Sequence, residues 1–196
     1  MINFNGKIVN ESNQLSNNRG FLFGDAVFET LRVISNYIPF WEDHYFRLMA
    51  SMRVLRFNIP DNFTPEFLKN QILQLHSKCN LGLNSRIRIT VFRNSAGRYK
   101  PITNEIGYVI NIDRIEDSKY FVEKKDVKVD LYKDYYISNQ LVHSIKSNNK
   151  SINVLASIYA SENDLDNCIL LNDRKMVCEF INGNLFLQAF KIYFFF

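Results

Sequence analysis

The first third of the chain alternates apolar and polar residues over short stretches, which predicts β-strands. Residues 4–9 read FNGKIV, and an Asn-Gly pair between two such stretches is a strong signal for a β-hairpin. Residues 27–33 alternate with a period of two and predict a longer strand. A turn at residues 35–36 and a short strand ending near Trp41 are expected to follow.

The apolar spacing becomes helical after Asp43, which is the predicted N-cap of a helix with Leu48, Met52 and Leu55 on one face. Thr64 and Pro65 predict the start of a second helix, because a capping hydroxyl followed by proline favours the first helical turn. The expected buried stripe of this helix comprises Phe67 or Leu68, Ile72, Leu75 and Cys79, and Gly82 lies just beyond its end.

Strands and helices continue to interchange in the rest of the chain. Residues 87–92 and 108–112 predict neighbouring strands, and residues 127–131 predict another. Residues 151–163 have helical spacing, and residues 169–177 predict a hairpin around Asn172 and Asp173. The fold class expected from these elements is α/β in the mixed, α+β sense.

A polar, charged stretch near residues 113–119 predicts a boundary between two domains. We therefore expect an N-terminal α/β domain over residues 1–113, a linker over 114–122 and a C-terminal domain over 123–196.

Composition excludes several classes of function. A net charge of +4 is modest, and the basic residues are scattered rather than gathered in a stripe, which argues against nucleic-acid binding. Three cysteines without a Cys-x-x-Cys spacing argue against a disulfide framework and against a metal site. Neither a signal peptide nor a run of about 18 apolar residues is visible, so we expect a cytoplasmic protein with no membrane partner.

Two strings in the second half carry the most informative chemistry. Residues 145–149 read IKSNN and are followed by NVLA at 153–156, while residues 179–186 read EFINGNLF. Together these strings resemble the class IV aminotransferase family, whose members are fold-type IV enzymes of pyridoxal 5'-phosphate (PLP). The resemblance implies that Lys146 forms the Schiff base with the cofactor aldehyde and shuttles the proton. It also implies that Glu179 faces the pyridine nitrogen of the cofactor.

Two further strings in the first half extend the resemblance. Residues 44–48 read HYFRL, in which Arg47 stands where the family grips the cofactor phosphate. Residues 19–29 read RGFLFGDAVFE and are similar to the opening motif of the family. By this resemblance Phe23, Phe28 and Arg98 are the candidate substrate-binding residues.

The substrate indications of these residues conflict. Phe28 is nearer to the branched-chain aminotransferase type, whereas Arg98 falls where D-amino acid aminotransferases place a carboxylate-binding arginine. The resemblance implies an amino acid and a 2-oxo acid as small-molecule partners, with branched-chain amino acids favoured. Aminodeoxychorismate lyase, which shares the scaffold and the cofactor, stays open as the alternative.

The resemblance extends from about Asn3 to Phe186. Residues 188–196 read QAFKIYFFF and depart from the pattern expected of the family. We therefore expect an incomplete C-terminal domain and impaired activity, with a catalytically inactive remnant as a further alternative. Intact family members resemble one another in forming homodimers, which makes a second copy of this chain an expected partner.

Overall fold

The computed structural model describes residues 1–9, 17–116, 126–189 and 192–195, with side chains to residue 186. The described residues form two compact units. The first is Met1–Phe121 with Ile145–Asn148, and the second is Val122–Ser144 with Asn149–Phe196. Both contain strands and helices, which confirms the mixed α/β prediction. Residues 117–122 of the predicted linker lie outside the described residues, and the predicted domain division stays a prediction.

The first unit is built on an antiparallel sheet. Its strands are β1 (Ile2–Phe4), β2 (Lys7–Val9), β3 (Ala26–Ile34), β4 (Asn84–Arg93) and β5 (Ile106–Arg114), in the spatial order β2-β1-β5-β4-β3. The predicted hairpin is confirmed, since β1 and β2 pair around Asn5 and Gly6. The predicted pairing of the strands at 87–92 and 108–112 is also confirmed by the register of β4 and β5.

Three helices accompany this sheet: α1 (Arg19–Phe23), α2 (Trp41–Val54) and α3 (Pro65–Cys79). The core that α2 and α3 share with the sheet includes Leu31, Val33, Leu48, Met52, Ile72, Leu75, Ile87, Ile89 and Ile110. Thr64 caps α3 as predicted, and its hydroxyl accepts a hydrogen bond from the Phe67 N–H. Because successive strand residues point to opposite faces, Phe28, Thr30, Arg88 and Thr90 lie on the other face of the sheet.

Two local predictions were wrong, and one helix was not predicted. Helix α2 begins at Trp41 after Phe40 in a left-handed conformation, so Asp43 lies in the first turn and is not the N-cap. The short strand expected before Trp41 is a single bridge between Ile34 and Tyr37. Helix α1, which the apolar pattern did not predict, is capped by Asn18 and ends at Gly24 with φ 66°.

The second unit has a three-stranded sheet in the order β6-β7-β8. Strand β6 (Val129–Ile137) runs parallel to β7 (Asn167–Asn172), which pairs with β8 (Val177–Phe180) in the antiparallel sense, as the predicted hairpin required. Helix α4 (Ser151–Glu162) connects β6 to β7 and confirms the predicted third helix. Strands β9 (Phe186–Ala189) and β10 (Ile192–Phe195) form a separate antiparallel pair.

The core that the described residues of the second unit form is small. Its buried residues are Tyr132, Ala156, Ala160, Cys168 and Leu170. The apolar run before Lys146 is not a strand, because residues Leu141–His143 form a short 3-10 helix. Leu141 is 69% exposed, so this apolar run does not have the burial that stabilises a strand.

Candidate active site

The segment that carries Lys146 is attached to the edge of β3. Ser147 forms a bridge with Val27, the Phe28 N–H donates to the Lys146 carbonyl at 2.8 Å, and the Asn148 N–H donates to the Ala26 carbonyl at 3.0 Å. The Lys146 Nζ lies 5.7 Å from the centre of the Phe28 ring. Two residues that the sequence singled out separately, Lys146 and Phe28, are thus brought together.

An arginine that the sequence analysis missed lies on the same ring. The Arg88 guanidinium carbon is 3.8 Å from the centre of the Phe28 ring. Its Nη2 donates to the Asn148 Oδ1 at 3.3 Å and its Nε to the Thr90 hydroxyl at 3.4 Å. Burial, and then the charge of Arg86, lower the pKa of Arg88, but an arginine side chain still stays protonated at neutral pH.

A cavity of about 520 Å³ adjoins this cation. Its polar lining includes Arg88, Thr90, Asn111 and Asn148, and apolar residues including Phe4, Phe21 and Phe92 supply much of the rest. A cavity with an apolar wall and a few converging polar groups suits a small organic anion. The alternation in residues 87–92 indicated only that Arg88 lies on a partly exposed strand face, so no local signal identified it.

Arg47 is fixed by a buried carboxylate. Its Nε donates to the Glu29 Oε1 at 2.6 Å and its Nη2 to the Glu29 Oε2 at 2.8 Å, while the His44 Nδ1 lies 2.9 Å from the same Oε2. Glu29 is 1% exposed, whereas the Arg47 side chain is 49% exposed. Glu29 therefore sets the plane of a guanidinium that still reaches solvent.

The electrostatics of this group follow from its contacts. Burial opposes ionisation of Glu29, but the hydrogen bonds and charges of Arg47 and His44 outweigh it, so the pKa of Glu29 lies below its usual value. The hydrogen bond to Glu29 raises the pKa of Arg47. Glu29 and Arg47 thus form a carboxylate and guanidinium pair at neutral pH. The sequence placed Glu29 in a motif without indicating this contact.

Glu179 belongs to the second unit, unlike the other predicted site residues. It lies on β8, where its Oε1 accepts a hydrogen bond from the Asn153 Nδ2 at 3.0 Å and faces the Lys150 Nζ at 3.6 Å. Asn153 also donates to the Ile181 carbonyl at 3.3 Å. Asn153, which entered the sequence analysis only as part of the NVLA string, thus holds both the carboxylate and the backbone that follows β8.

Phe23 and Arg98 are brought to one region by a third arginine. The Phe23 ring centre is 5.8 Å from that of Tyr99 and 4.8 Å from the guanidinium carbon of Arg19. The Arg98 carbonyl accepts a hydrogen bond from the Arg19 Nη1 at 2.6 Å. Arg98 itself is exposed in the connection between β4 and β5.

Within residues 1–9, 17–116, 126–189 and 192–195 there is no group of three or more His, Cys, Asp or Glu residues that could hold a metal ion. In the same ranges, no helix is both long enough and apolar enough to cross a membrane.

Comparison with protein families gives one match over most of the chain. The family model described as amino-transferase class IV matches residues 26–192, which extends beyond Phe186, where the resemblance was expected to stop. A search of curated protein sequences gave no match.

The fold is also similar to that of solved structures. A branched-chain aminotransferase from Thermoproteus uzoniensis with norvaline is 17% identical, with a TM-score of 0.84 over 98% of this chain and 66% of that one. A putative 4-amino-4-deoxychorismate lyase from Legionella pneumophila is 23% identical, with a TM-score of 0.80 over 96% and 67%. A branched-chain amino acid aminotransferase from Escherichia coli is 17% identical, with a TM-score of 0.79 over 99% and 65%. The chain thus spans about two thirds of the length of these structures.

Proposed function

Because this chain belongs to the amino-transferase class IV family, we propose that it serves a PLP-dependent aminotransferase reaction. The reaction moves an amino group between an amino acid, of the branched-chain type, and a 2-oxo acid. The observation that carries the proposal is the attachment of the Lys146 segment to β3, with the Lys146 amine beside the Phe28 ring that Arg88 also contacts.

The residues present fit the cofactor by their chemistry. Lys146 offers an amine for the aldehyde of the cofactor, and Glu179 offers a carboxylate whose Oε1 is oriented by Asn153. Glu29 engages the Nε and Nη2 of Arg47, so the Nη1 side of a fixed guanidinium is what a phosphate would meet. When bound, PLP supplies a carbonyl carbon that accepts amino groups and a ring that withdraws electrons.

The residues of the chain supply the remaining steps. The Lys146 amine would remove a proton from the substrate carbon that bears the amino group and return it on the other side of the amino nitrogen, at the carbon that the cofactor would supply. Arg88 binds the substrate carboxylate through its guanidinium, and the ring of Phe28 limits where that guanidinium lies. The apolar residues of the adjoining cavity accommodate the substrate side chain, which favours an aliphatic amino acid.

Aminodeoxychorismate lyase is the second candidate, and the similarity to the Legionella pneumophila structure supports it. Arg88 and Arg98 also suit a substrate with more than one carboxylate. The two reactions differ in their products, because the lyase releases pyruvate without an added amino acceptor. Product analysis with aminodeoxychorismate, and separately with leucine and 2-oxoglutarate, therefore distinguishes the two activities.

The first test is a visible absorption spectrum of the purified chain with added PLP. We expect a band that is absent from Lys146→Ala and retained in Lys78→Ala, which removes an exposed lysine at the end of α3. A band of equal intensity in Lys146→Ala would overturn the assignment of Lys146. If the wild-type chain shows no lysine-dependent band and no turnover, it is the catalytically inactive alternative.

A further inference from the structure

Arg19 is a buried cation at the start of α1. Asn18 caps this helix by accepting a hydrogen bond from the Phe21 N–H, and the Arg19 side chain is 4% exposed. The Arg19 Nε donates to the Asp25 Oδ2 at 2.9 Å, and its guanidinium lies over the Phe23 ring. An arginine is seldom this buried without partners that take its charge and its N–H groups.

The other partners of Arg19 are three consecutive carbonyls of the connection between β4 and β5. Its Nη1 donates to the Gly97 carbonyl at 2.9 Å and to the Arg98 carbonyl at 2.6 Å, and its Nη2 lies 3.4 Å from the Tyr99 carbonyl. Converging carbonyls require a tightly turned backbone. Gly97 permits this turn with φ 99°, where an added Cβ would lie 2.4 Å from the Lys100 carbonyl oxygen.

Asp25 also contacts Arg93, the last residue of β4, where the same connection begins. Its carboxylate also accepts hydrogen bonds from the Arg93 Nε at 2.9 Å and the Arg93 Nη2 at 3.2 Å. Arg93 in turn donates to the Asn104 Oδ1 and to the Leu55 carbonyl. One carboxylate therefore orients two arginines, of which Arg19 holds residues 97–99 and Arg93 holds Asn104.

We propose that Arg19 is a positioning residue that fixes the loop of residues 94–105 and thereby presents Arg98 and Tyr99 beside Phe23 for binding of the substrate. This inference rests on the proposed function, since only that function gives Arg98 and Phe23 a substrate to contact. A lysine cannot replace Arg19, because one ammonium does not match a planar guanidinium that reaches Asp25 and three carbonyls at once.

The loop is tested first, without reference to activity. Trypsin cleaves the Arg98–Tyr99 bond only when the backbone there opens, and cleavage after Arg174, in an exposed turn of the second unit, serves as the internal reference. We expect cleavage after Arg98 to rise about tenfold in Arg19→Lys relative to the reference. Arg114→Lys, which changes an exposed arginine at the end of β5, is expected to leave the ratio unchanged.

A second variant keeps the test valid if Arg19→Lys does not fold. Gly97→Ala retains Arg19 and Asp25 but strains the loop alone, and we expect the same selective rise in cleavage. The proposal would be overturned if the ratio of cleavage after Arg98 to cleavage after Arg174 is unchanged in both variants, because the loop would then be unaffected. It would also be overturned if cleavage rises equally at both sites, because that result would show a general loss of stability.

The link to the substrate is tested by calorimetric titration with 2-oxoglutarate, which has a second carboxylate for Arg98 when Arg88 holds the first. We expect Arg19→Lys to weaken binding about tenfold, as much as Arg98→Ala does. If Arg98→Ala weakens binding and Arg19→Lys does not, positioning for substrate is refuted. If the wild-type chain binds no 2-oxo acid although the loop opens in Arg19→Lys, the proposed function fails while the structural role of Arg19 stands.

Discussion

Two carboxylates orient three arginines of the first unit, and the geometry of the candidate site depends on them. Glu29 holds Arg47, and Asp25 holds Arg19 and Arg93. Glu29 is less exposed than Arg47, and Asp25 is shared by two arginines. Each carboxylate therefore fixes where its guanidinium partners lie. Substitution of a carboxylate should therefore affect the position of a cation that is not itself changed.

Glu29→Gln is expected to lower the free energy of unfolding by about 2 kcal/mol at pH 7, because the amide has one acceptor oxygen for Arg47 and His44. The pKa of Glu29 in the folded chain lies below its usual value of 4.5, so the unfolded chain binds more protons as the pH falls. The stabilisation is then fully present above about pH 4.5 and is lost as the pH falls through the folded pKa.

Urea unfolding at pH 7 and pH 3 measures this difference. Glu116→Gln, at an exposed position, is the matched control and should differ from the wild type by no more than about 0.5 kcal/mol. We expect the difference in free energy of unfolding between the wild type and Glu29→Gln to be smaller at pH 3 than at pH 7. A difference in free energy of unfolding that does not change with pH would show that Glu29 is not ionised in the folded chain.

His76 provides a separate pH dependence. It is 5% exposed and its Nδ1 lies 2.9 Å from the Ser85 hydroxyl, and burial lowers its pKa from 6.5. The unfolded chain therefore binds the proton more readily, so stability falls as the pH drops below about 6.5 and levels off below the folded pKa. We expect His76→Asn to reduce the loss of stability between pH 7.5 and 5.5 in urea unfolding. If the loss of stability between pH 7.5 and 5.5 is the same in His76→Asn as in the wild type, groups other than His76 cause it.

Single residues differed in how far the sequence identified them. Lys146, Arg47 and Glu179 stood in strings of several residues, and their roles stay predictions. Arg88 and Arg19 were missed because important partners of each are distant in the sequence. Arg88 contacts a residue 60 positions away, and Arg19 contacts residues 78 to 80 positions away. A local pattern shows the type and the spacing of an arginine, whereas its partners depend on the register of β3 against β4 and on the loop that follows.

Among the elements, α3 was the most predictable, because its cap, its proline and its apolar spacing all indicate the same start. Thr64→Ala is expected to lower the free energy of unfolding by about 1 kcal/mol, since the Phe67 N–H loses the acceptor at 3.2 Å. Thr64→Ser retains the hydroxyl and should remain within about 0.5 kcal/mol of the wild type. Equal losses in both variants, measured by urea unfolding, would refute the capping role.

The elements that were mispredicted or missed depend on contacts beyond their own sequence. Helix α2 starts two residues before Asp43 because Trp41 is buried in the core and Phe40 adopts φ 54° before it. Helix α1 has five residues and no apolar stripe, and the buried Arg19 anchors it to a distant loop. Residues 141–143 have strand-like composition, but no neighbouring strand pairs with them within the described ranges.

The two units differ in the cores that the described residues supply. The first has a cluster of buried residues that includes large side chains from both α2 and α3 as well as the sheet. In the second, three of the five buried cluster residues are Ala156, Ala160 and Cys168, which bury little apolar area. Since burial of apolar area dominates stability, the second unit is expected to be the less stable of the two.

Two intrinsic probes report the units separately. Trp41 is the only tryptophan of the chain and lies in the core of the first unit, whereas Cys168 is fully buried in the second. In a variant with Cys79→Ser and Cys178→Ser, we expect Cys168 to react with a thiol reagent at a lower urea concentration than that at which Trp41 fluorescence changes. Cys168→Ser confirms that the labelling is specific. Coincident midpoints would contradict the expectation, because they would show that both units unfold in one cooperative transition.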